Sequence, residues 1–395
     1  MSAELLLFLL LPIAALSGWL AASKKNASAA ASGHVDFSAD YFTGLNLLLN
    51  EQPDKAVDVF IRMLEVDSDT VETHLALGNL FRRRGEVDRA IRIHQNLIAR
   101  PTLSKDQRAQ ALLELAKDYM RAGFLDRAEN MFLELVDNKI HKAAALDHLL
   151  DIFQQEKDWE KAIDISHQIE GMGRKHTSVM SAQFCCELAE IALNKGETRQ
   201  ALKTIKRALA FDRQCVRATL LMGKIEQRMG NTRAAIKIFK QIEKQDPTYL
   251  SEIVAPLLEC YQSIGQADEA EQYLRHIAKE YGGISVILAL AELTRLKSGD
   301  KSAIETLLQV MKDKPSLRGL ERLLTFMLSG SQGETRHTLV LLQELVRKLM
   351  ENQSIYQCVN CGYRAKVLHW KCPTCKRWNS IKPRQSELDS NVLKN

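Results

Sequence analysis

The chain has 395 residues, of which 46% are hydrophobic and 26% charged, and its formal net charge at pH 7 is +5. This is the composition of a folded protein, and an aromatic content of 6% with only 8 prolines favours helices over sheets. The charge is mild and its signs are interspersed, so it gives no indication of nucleic-acid binding. A chain of this length does not favour an exported disulfide framework, because that device is typical of small domains that lack a core.

Residues 5–22, LLLFLLLPIAALSGWLAA, carry no charge and predict a transmembrane helix. Such a helix would be about 27 Å long, enough to cross the hydrocarbon layer. A cleaved signal peptide is the alternative, but no Lys or Arg precedes this run, and the run exceeds the usual signal core. Lys24 and Lys25 follow directly, and the positive-inside rule then places the rest of the chain in the cytoplasm. We predict a single-pass anchor over residues 1–25 and a linker over residues 26–36.

A short segment with a central alanine recurs eight times along the chain, as in VDRAIRIH, TRAAIKIF and ADEAEQYL. Its steps are 34, 38, 34, 39, 34, 35 and 33 residues, and its alanines are Ala56, Ala90, Ala128, Ala162, Ala201, Ala235, Ala270 and Ala303. Five positions earlier a glycine recurs, as Gly85, Gly123, Gly196, Gly230 and Gly265. Small residues let two helices approach closely, and a glycine can end the first helix in a left-handed conformation. The pattern resembles the tetratricopeptide repeat and predicts eight repeats over residues 37–317.

The irregular steps locate the departures from this pattern. The two long steps predict insertions near ARPTLSKDQ and GMGRKHTSV. The repeat that begins near Leu146 departs most, because Leu150 and Lys157 stand where small residues are usual. After the last repeat, apolar residues recur at three and four positions, which predicts a terminal helix pair over residues 318–352. We expect an all-α superhelical solenoid with an extended face for partner proteins.

Two further groups of residues have an ordinary interpretation and a functional one. The run Arg82, Arg83 and Arg84 ends a predicted helix, where cations interact favourably with the helix dipole; a site for an acidic partner is the alternative. Four cysteines lie in apolar helical patterns and are predicted to be small core residues: Cys185, Cys186, Cys215 and Cys260.

The strongest site signal lies near the carboxyl end, in CVNCGYRAKVLHWKCPTC. Its spacing is C-x2-C-x10-C-x2-C, and its ligands are Cys358, Cys361, Cys372 and Cys375. Each C-x-x-C turn presents two sulfurs on one side, so four thiolates can surround one tetrahedral metal ion. A pair of redox dithiols is the alternative, but it lacks the strand–helix context of a thioredoxin-type motif. His369 could replace one ligand, although four cysteines suffice.

CVNCGY and CPTC resemble the two metal-binding turns of rubredoxin, and this resemblance implies one iron ion on the four cysteines; zinc fits the same ligands. We predict a rubredoxin-like domain over residues 353–384 and a tail over residues 385–395. Only ten residues separate the pairs, and Lys376 stands where a glycine is expected. We therefore expect an incomplete sheet and a structural or docking role at the end of the array. Aromatic residues are predicted to pack beside the metal-binding turns: Tyr356, Tyr363, Trp370 and Trp378.

The order of anchor, tetratricopeptide array and rubredoxin-like domain resembles the lipopolysaccharide assembly protein B family of Gram-negative bacteria. The resemblance implies an inner-membrane adaptor, with most of its mass on the cytoplasmic side, that restrains lipopolysaccharide synthesis. It implies that the adaptor promotes degradation of the lipid A pathway deacetylase by the membrane-anchored protease FtsH. It also implies coordination of lipopolysaccharide assembly proteins. Self-association stays open.

A non-catalytic function fits the sequence, because the chain contains no G-x-x-x-x-G-K-[ST], G-x-S-x-G or H-E-x-x-H motif. Two alternatives to the adaptor stay open. A redox protein would use the tetrathiolate site for a reversible one-electron couple. A different interaction protein, such as an assembly scaffold or envelope chaperone, would be favoured by repeats that lie outside the cytoplasm.

Overall fold

The computed structural model describes residues 71–173, 177–351 and 353–384, and a few positions between 42 and 59. The predicted anchor, the linker and most of the first repeat lie outside the described residues, as does the tail after residue 384. Within the described part of the chain, no helix is both long and apolar enough to cross a membrane. The chain divides into two compact units, residues 1–145 and residues 146–395, and each is described by itself.

Antiparallel helix pairs make up the described part of the first unit. Its helices are α1 (Val71–Arg84), α2 (Val87–Ile98), α3 (Lys105–Ala122) and α4 (Leu125–Asp137). Each helix packs on the next along the chain, and α1 also contacts α3. The arrangement is the predicted helix–turn–helix repeat, stacked side by side.

Paired helices also make up most of the second unit, over a longer stretch of the chain. Helix α5 (Lys142–Glu156) begins at the unit boundary, and the helices that follow are α6 (Trp159–Glu170), α7 (Thr177–Asn194), α8 (Thr198–Phe211), α9 (Val216–Arg228), α10 (Thr232–Phe239), α11 (Gln241–Gln245), α12 (Leu250–Ser263), α13 (Ala267–Glu280), α14 (Ile284–Asp313), α15 (Leu317–Ser329) and α16 (Gly333–Glu351). A single 3₁₀ turn, Pro247–Tyr249, precedes α12. Helix α14 contains a break at Gly299, whose φ is 85°, so it is two helices joined by a kink.

The repeat signals hold at the level of single residues. All five recurring glycines adopt a left-handed conformation, with φ between 69° and 85°. Lys157 occupies the corresponding turn of the divergent repeat and takes the same conformation, with φ of 60°. The recurring alanines, from Ala56 to Ala303, are all buried between helices. The predicted helix pairs and their turns are therefore confirmed in the described residues.

The two long steps of the repeat are accounted for by longer first helices. Helices α3 and α7 each contain 18 residues, whereas α1 contains 14. Ser104 begins α3 with a capping box, in which its hydroxyl accepts a hydrogen bond from the backbone of Gln107 and the Gln107 side chain accepts one in return. In the step that contains α3, most of the added residues lengthen the helix.

In the first unit, Arg82 takes part in a buried ion network. Its guanidinium contacts the carboxylates of Glu114 at 2.6 Å and Asp118 at 2.8 Å. Asp118 also accepts a 2.5 Å hydrogen bond from His94, and both of these side chains are fully buried. Arg82 is thus a structural residue that joins α1 to α3.

A small antiparallel sheet follows the helices. Its strands are β1 (Tyr356–Cys358), β2 (Arg364–Ala365) and β3 (Ile381–Pro383), in the order β2-β1-β3. Tyr356 lies opposite Ala365 on one side and opposite Pro383 on the other. The prediction of an incomplete sheet is therefore wrong. Lys376 supplies the left-handed turn that a glycine was expected to provide, with φ of 59°, so the short spacing still closes three strands.

Candidate metal centre

The four cysteine sulfurs lie within 4.8 Å of one another, and no other His, Cys, Asp or Glu of the described residues joins them. Two pairs connect the two metal-binding turns, with Sγ–Sγ distances of 3.7 Å for Cys358 and Cys375 and 3.7 Å for Cys361 and Cys372. A tetrahedral ion with metal–sulfur bonds of about 2.3 Å requires sulfurs about 3.8 Å apart. The four cysteines form a rubredoxin-like site whose spacing fits one metal ion.

Hydrogen-bond donors favour the thiolate at Cys358 and Cys375. At Cys361 the backbone N–H of Tyr363 lowers the pKa, but burial and the neighbouring cysteine side chains outweigh it and raise the pKa to about 11. Burial raises the pKa of Cys358, but the Ser380 hydroxyl and the backbone N–H groups of Cys361 and Asn360 outweigh burial and lower that pKa to about 6. The backbone N–H of Arg377 lowers the pKa of Cys375 in the same way. Metal ions bind thiolates rather than thiols, so this donor set suits the predicted ligand.

Both tryptophans of the domain pack on the helical repeats of the second unit. The ring of Trp378 meets the rings of Trp159 and Phe184 edge to face, with centroids 6.1 and 5.7 Å apart. Its indole N–H donates a 2.9 Å hydrogen bond to the side-chain oxygen of Gln154, which also accepts one of 3.0 Å from Lys371. The first half of the contact thus combines apolar burial with satisfied polar groups.

Tyr249 forms a second part of the contact between the rubredoxin-like domain and the repeats. Its ring stacks on Trp370 with centroids 5.5 Å apart, and its hydroxyl donates to the backbone carbonyl of Ile381 at 3.0 Å. A further hydrogen bond of 3.1 Å reaches the side chain of Asn379. The guanidinium of Arg217 lies 5.8 Å from the Trp370 ring on the α9 side. Burial raises the pKa of Tyr249, so its hydroxyl stays protonated and remains a donor at neutral pH.

Charge complementarity reinforces the docking. Residues 353–384 contain seven Lys and Arg residues and no Asp or Glu. Lys382 pairs with Asp246 at 2.6 Å, and the Tyr356 hydroxyl donates to Glu252 at 2.9 Å. Burial would raise the pKa of Asp246, but hydrogen bonds from Lys382 and Thr248 hold it below its ordinary value. A basic domain therefore lies on acidic groups of the repeats.

The sequence located the cysteines but not the docking surface. Tyr356 and Tyr363 pack beside the cysteines, as predicted, whereas Trp370 and Trp378 pack on the repeats. The domain thus lies against helices α5 to α12 instead of projecting beyond the last repeat as a separate module. A domain of this size has little core of its own, so it gains stability by burying its tryptophans elsewhere. The missed signal was the combination of two tryptophans with an excess of basic residues.

Fold and site together define a tetratricopeptide-repeat protein with a rubredoxin-like metal-binding domain. A family model described as a rubredoxin metal binding domain matches residues 356–383, and tetratricopeptide repeat models match residues 73–108, 182–215 and 217–249. The chain belongs to the lipopolysaccharide assembly protein B family. It is 36% identical to lipopolysaccharide assembly protein B of Escherichia coli K12, over 96% of this chain and 97% of that protein. It is 38% identical to the Haemophilus influenzae protein of the same name, over 96% and 98%.

Among solved structures, the chain is similar to the Naa15/Naa10 complex bound to HypK-THB, with a TM-score of 0.44 and 12% identity over 79% of this chain and 46% of that chain. That score is too low to support an inference about function.

Proposed function

We propose that this chain is a non-catalytic adaptor of the inner membrane that regulates lipopolysaccharide synthesis. In this role it brings the lipid A pathway deacetylase to the protease FtsH, which degrades the deacetylase, and it coordinates lipopolysaccharide assembly proteins at the same membrane. The proposal is supported by family membership along nearly the whole chain. Repeat arrays of this kind bind other proteins along extended surfaces.

The single observation that carries the proposal is the docked metal domain. Trp378 and Tyr249 join the domain to helices far apart in sequence, so the surface of the repeats here depends on a folded domain. A domain of about 30 residues with a tetrathiolate site owes much of its folding free energy to the metal, on the order of 10 kcal/mol. Metal loading would therefore decide which surface a partner meets.

For the metal itself we propose iron, on the resemblance to rubredoxin, held by Cys358, Cys361, Cys372 and Cys375. The ion would supply structural cross-linking of the two turns. Zinc fits the same four thiolates and the same sulfur spacing. Elemental analysis of protein purified without added metal, together with its visible absorption, distinguishes the two.

The proposed location is the inner membrane, with residues 1–25 as the anchor and the remaining chain in the cytoplasm. A topology reporter fused after residue 30 should report a cytoplasmic position, and a periplasmic signal would reverse the orientation. Deleting residues 1–25 should weaken function chiefly by dilution, because anchoring raises the effective concentration near membrane partners. Overproduction should then rescue it in part. Full activity at normal levels would mean that the anchor is dispensable.

The function is tested by the lifetime of the deacetylase in cells. With the intact chain the deacetylase should be short-lived, and a Cys372→Ser, Cys375→Ser double variant should lengthen its lifetime to that of cells lacking the chain. Cys260→Ser is the matched control, because Cys260 is a buried thiol of the repeats outside the metal site. Crosslinking and affinity capture from membranes should recover FtsH and the deacetylase with the intact chain only. A deacetylase lifetime that stays unchanged in the metal-free double variant would contradict the proposal.

A redox function is the second candidate, and one observation favours it. Cys361 is exposed to solvent and Cys375 is partly exposed, so one edge of the metal site is open to a partner. Voltammetry of the iron-loaded protein would test it. A reversible one-electron couple whose loss abolishes function, while the folded domain is retained with zinc, would favour this candidate over the adaptor.

A further inference from the structure

The last helix of the array, α16, has two apolar faces. Leu339, Val346 and Met350 pack against α15. On another side, Leu341 and Leu342 are exposed by 48% and 45%, and Leu345 and Leu349 by 57% and 61%. We call these last four residues the leucine stripe; at 100° per residue they fall within an arc of about 100° on the helix.

The position of the leucine stripe makes it unusual. Helices inside a repeat array have a neighbour on each side, and terminal helices normally present a polar outer face. No later helix covers α16 in the described residues, because the chain turns back to the rubredoxin-like domain on α5 to α12. A contiguous exposed apolar patch of this kind marks an interaction surface.

The charged residues of α16 indicate which kind of partner the leucine stripe binds. The acidic and basic side chains of α16 are evenly balanced, with Glu334, Glu344 and Glu351 against Arg336, Arg347 and Lys348, and the helix also contains His337. A helix that lies on an anionic membrane surface carries a basic polar face, which α16 lacks. The stripe therefore suits a protein surface with both signs of charge.

Glu344 and Lys348 make the stripe self-complementary. Both are exposed, both lie on the same edge of the stripe, and neither forms an ion pair within the described part of the chain. When two copies of α16 pack antiparallel about a two-fold axis, each residue of one copy lies opposite the residue of the other copy that is equally far from the centre of the contact in the opposite direction along the sequence. With the centre near residue 346, Glu344 lies opposite Lys348 of the second copy, and the reverse pair forms as well.

We propose that the leucine stripe of α16 is a self-association surface that takes α16 of a second copy of this chain, antiparallel. The second copy occupies the place where a further repeat would stack. Four leucines per protomer and two exposed ion pairs make a small contact, below the roughly 1,200 Å² of a stable interface. The dimer is therefore in concentration-dependent equilibrium with the monomer. This inference is independent of the proposed function.

In the test, unlabelled and ¹⁵N-labelled full-length protein are mixed and then treated with a carbodiimide. This reagent couples a carboxylate to an amine when the two are in direct contact. Peptides that join Glu344 of one isotope to Lys348 of the other can arise only between chains. We expect these mixed peptides, and they should vanish in Leu345→Glu. The matched control is Leu296→Glu, which replaces an equally exposed leucine on α14 and should leave them unchanged.

Exchanging the charges of Glu344 and Lys348 tests whether these two residues pair across the two-fold axis. By sedimentation equilibrium, E344K and K348E alone should each lower the dimer fraction several-fold, because each opposes like charges across the contact. The E344K/K348E double variant should restore it. A protein that stays monomeric up to about 100 µM, a dimer that Leu345→Glu leaves intact, or a double variant as weak as the single ones would each overturn the proposal.

Discussion

The Tyr249 hydroxyl donates a hydrogen bond to the backbone carbonyl of Ile381 at 3.0 Å, across 132 positions of sequence. One partner ends the 3₁₀ turn before α12, and the other begins the last strand of the rubredoxin-like domain. Because the Tyr249 ring also stacks on Trp370, a single side chain of the repeats contacts two separate segments of the domain.

Tyr249→Phe should therefore loosen the docking without removing the stacked ring. It leaves the buried Ile381 carbonyl without this donor, and we expect a loss of about 1–2 kcal/mol in the free energy of unfolding of the second unit. Hydrogen exchange over residues 353–384 should rise. Tyr273→Phe is the control, because Tyr273 bonds to Glu243 within the repeats. Equal exchange in the two variants would contradict the role given to Tyr249.

Close packing of helices in the repeats gives a second prediction. A Cβ at Gly223 would clash with the ring of Phe239, which is fully buried. Alanine normally stabilises a helix interior relative to glycine, by about 1 kcal/mol. Here overpacking should outweigh that gain, so Gly223→Ala should destabilise the protein by about 1–2 kcal/mol in urea unfolding.

Phe239→Leu in the Gly223→Ala background tests the cause. If the ring is what opposes the new methyl group, the two substitutions should couple favourably by at least about 0.5 kcal/mol. If the effects of the two substitutions on the free energy of unfolding are strictly additive, the clash is relieved by other movements.

The buried network of the first unit gives a pH dependence. Burial raises the pKa of Glu114, but hydrogen bonds from Lys117 and Arg82 outweigh it, so the folded-state pKa lies below the ordinary 4.5. A lowered pKa means that the stabilisation is complete above the unfolded-state value and is lost as the pH falls through the folded-state value. Glu114→Gln should thus cost about 2 kcal/mol at pH 7, and the cost should shrink below about pH 4.

Hydrogen exchange of α1 and α3 measures this effect locally, away from the metal site. Glu134→Gln, which replaces an exposed glutamate on α4, should give a small difference at every pH. A Glu114→Gln cost that stays constant from pH 7 to pH 3 would show that the charge of Glu114 is not what stabilises the network.

Local signals were sufficient for the repeats and for the cysteines. Each turn glycine, such as Gly123, needs only its own left-handed backbone, and each C-x-x-C turn brings its sulfurs together over four residues. Lys376 misled the prediction because a non-glycine residue can also take positive φ in a turn held by the rest of the fold.

The docking could not be predicted from such signals. Gln154 and Trp378 are 224 positions apart, and no periodicity relates them. Their contact depends on how successive helix pairs rotate, which is set by packing over the whole second unit. The same holds for the leucine stripe, because the pattern of α16 shows two apolar faces but not which of them α15 covers.

The central claim is that a metal-folded domain covers the repeats between α5 and α12. The most direct test compares hydrogen exchange in the metal-loaded full chain with hydrogen exchange in the Cys372→Ser, Cys375→Ser variant. We expect loss of metal to raise hydrogen exchange over residues 353–384 and also in the repeats around Gln154 and Tyr249, while exchange in α1 to α4 stays unchanged. Unchanged protection around Gln154 and Tyr249, with the domain itself unfolded, would contradict it.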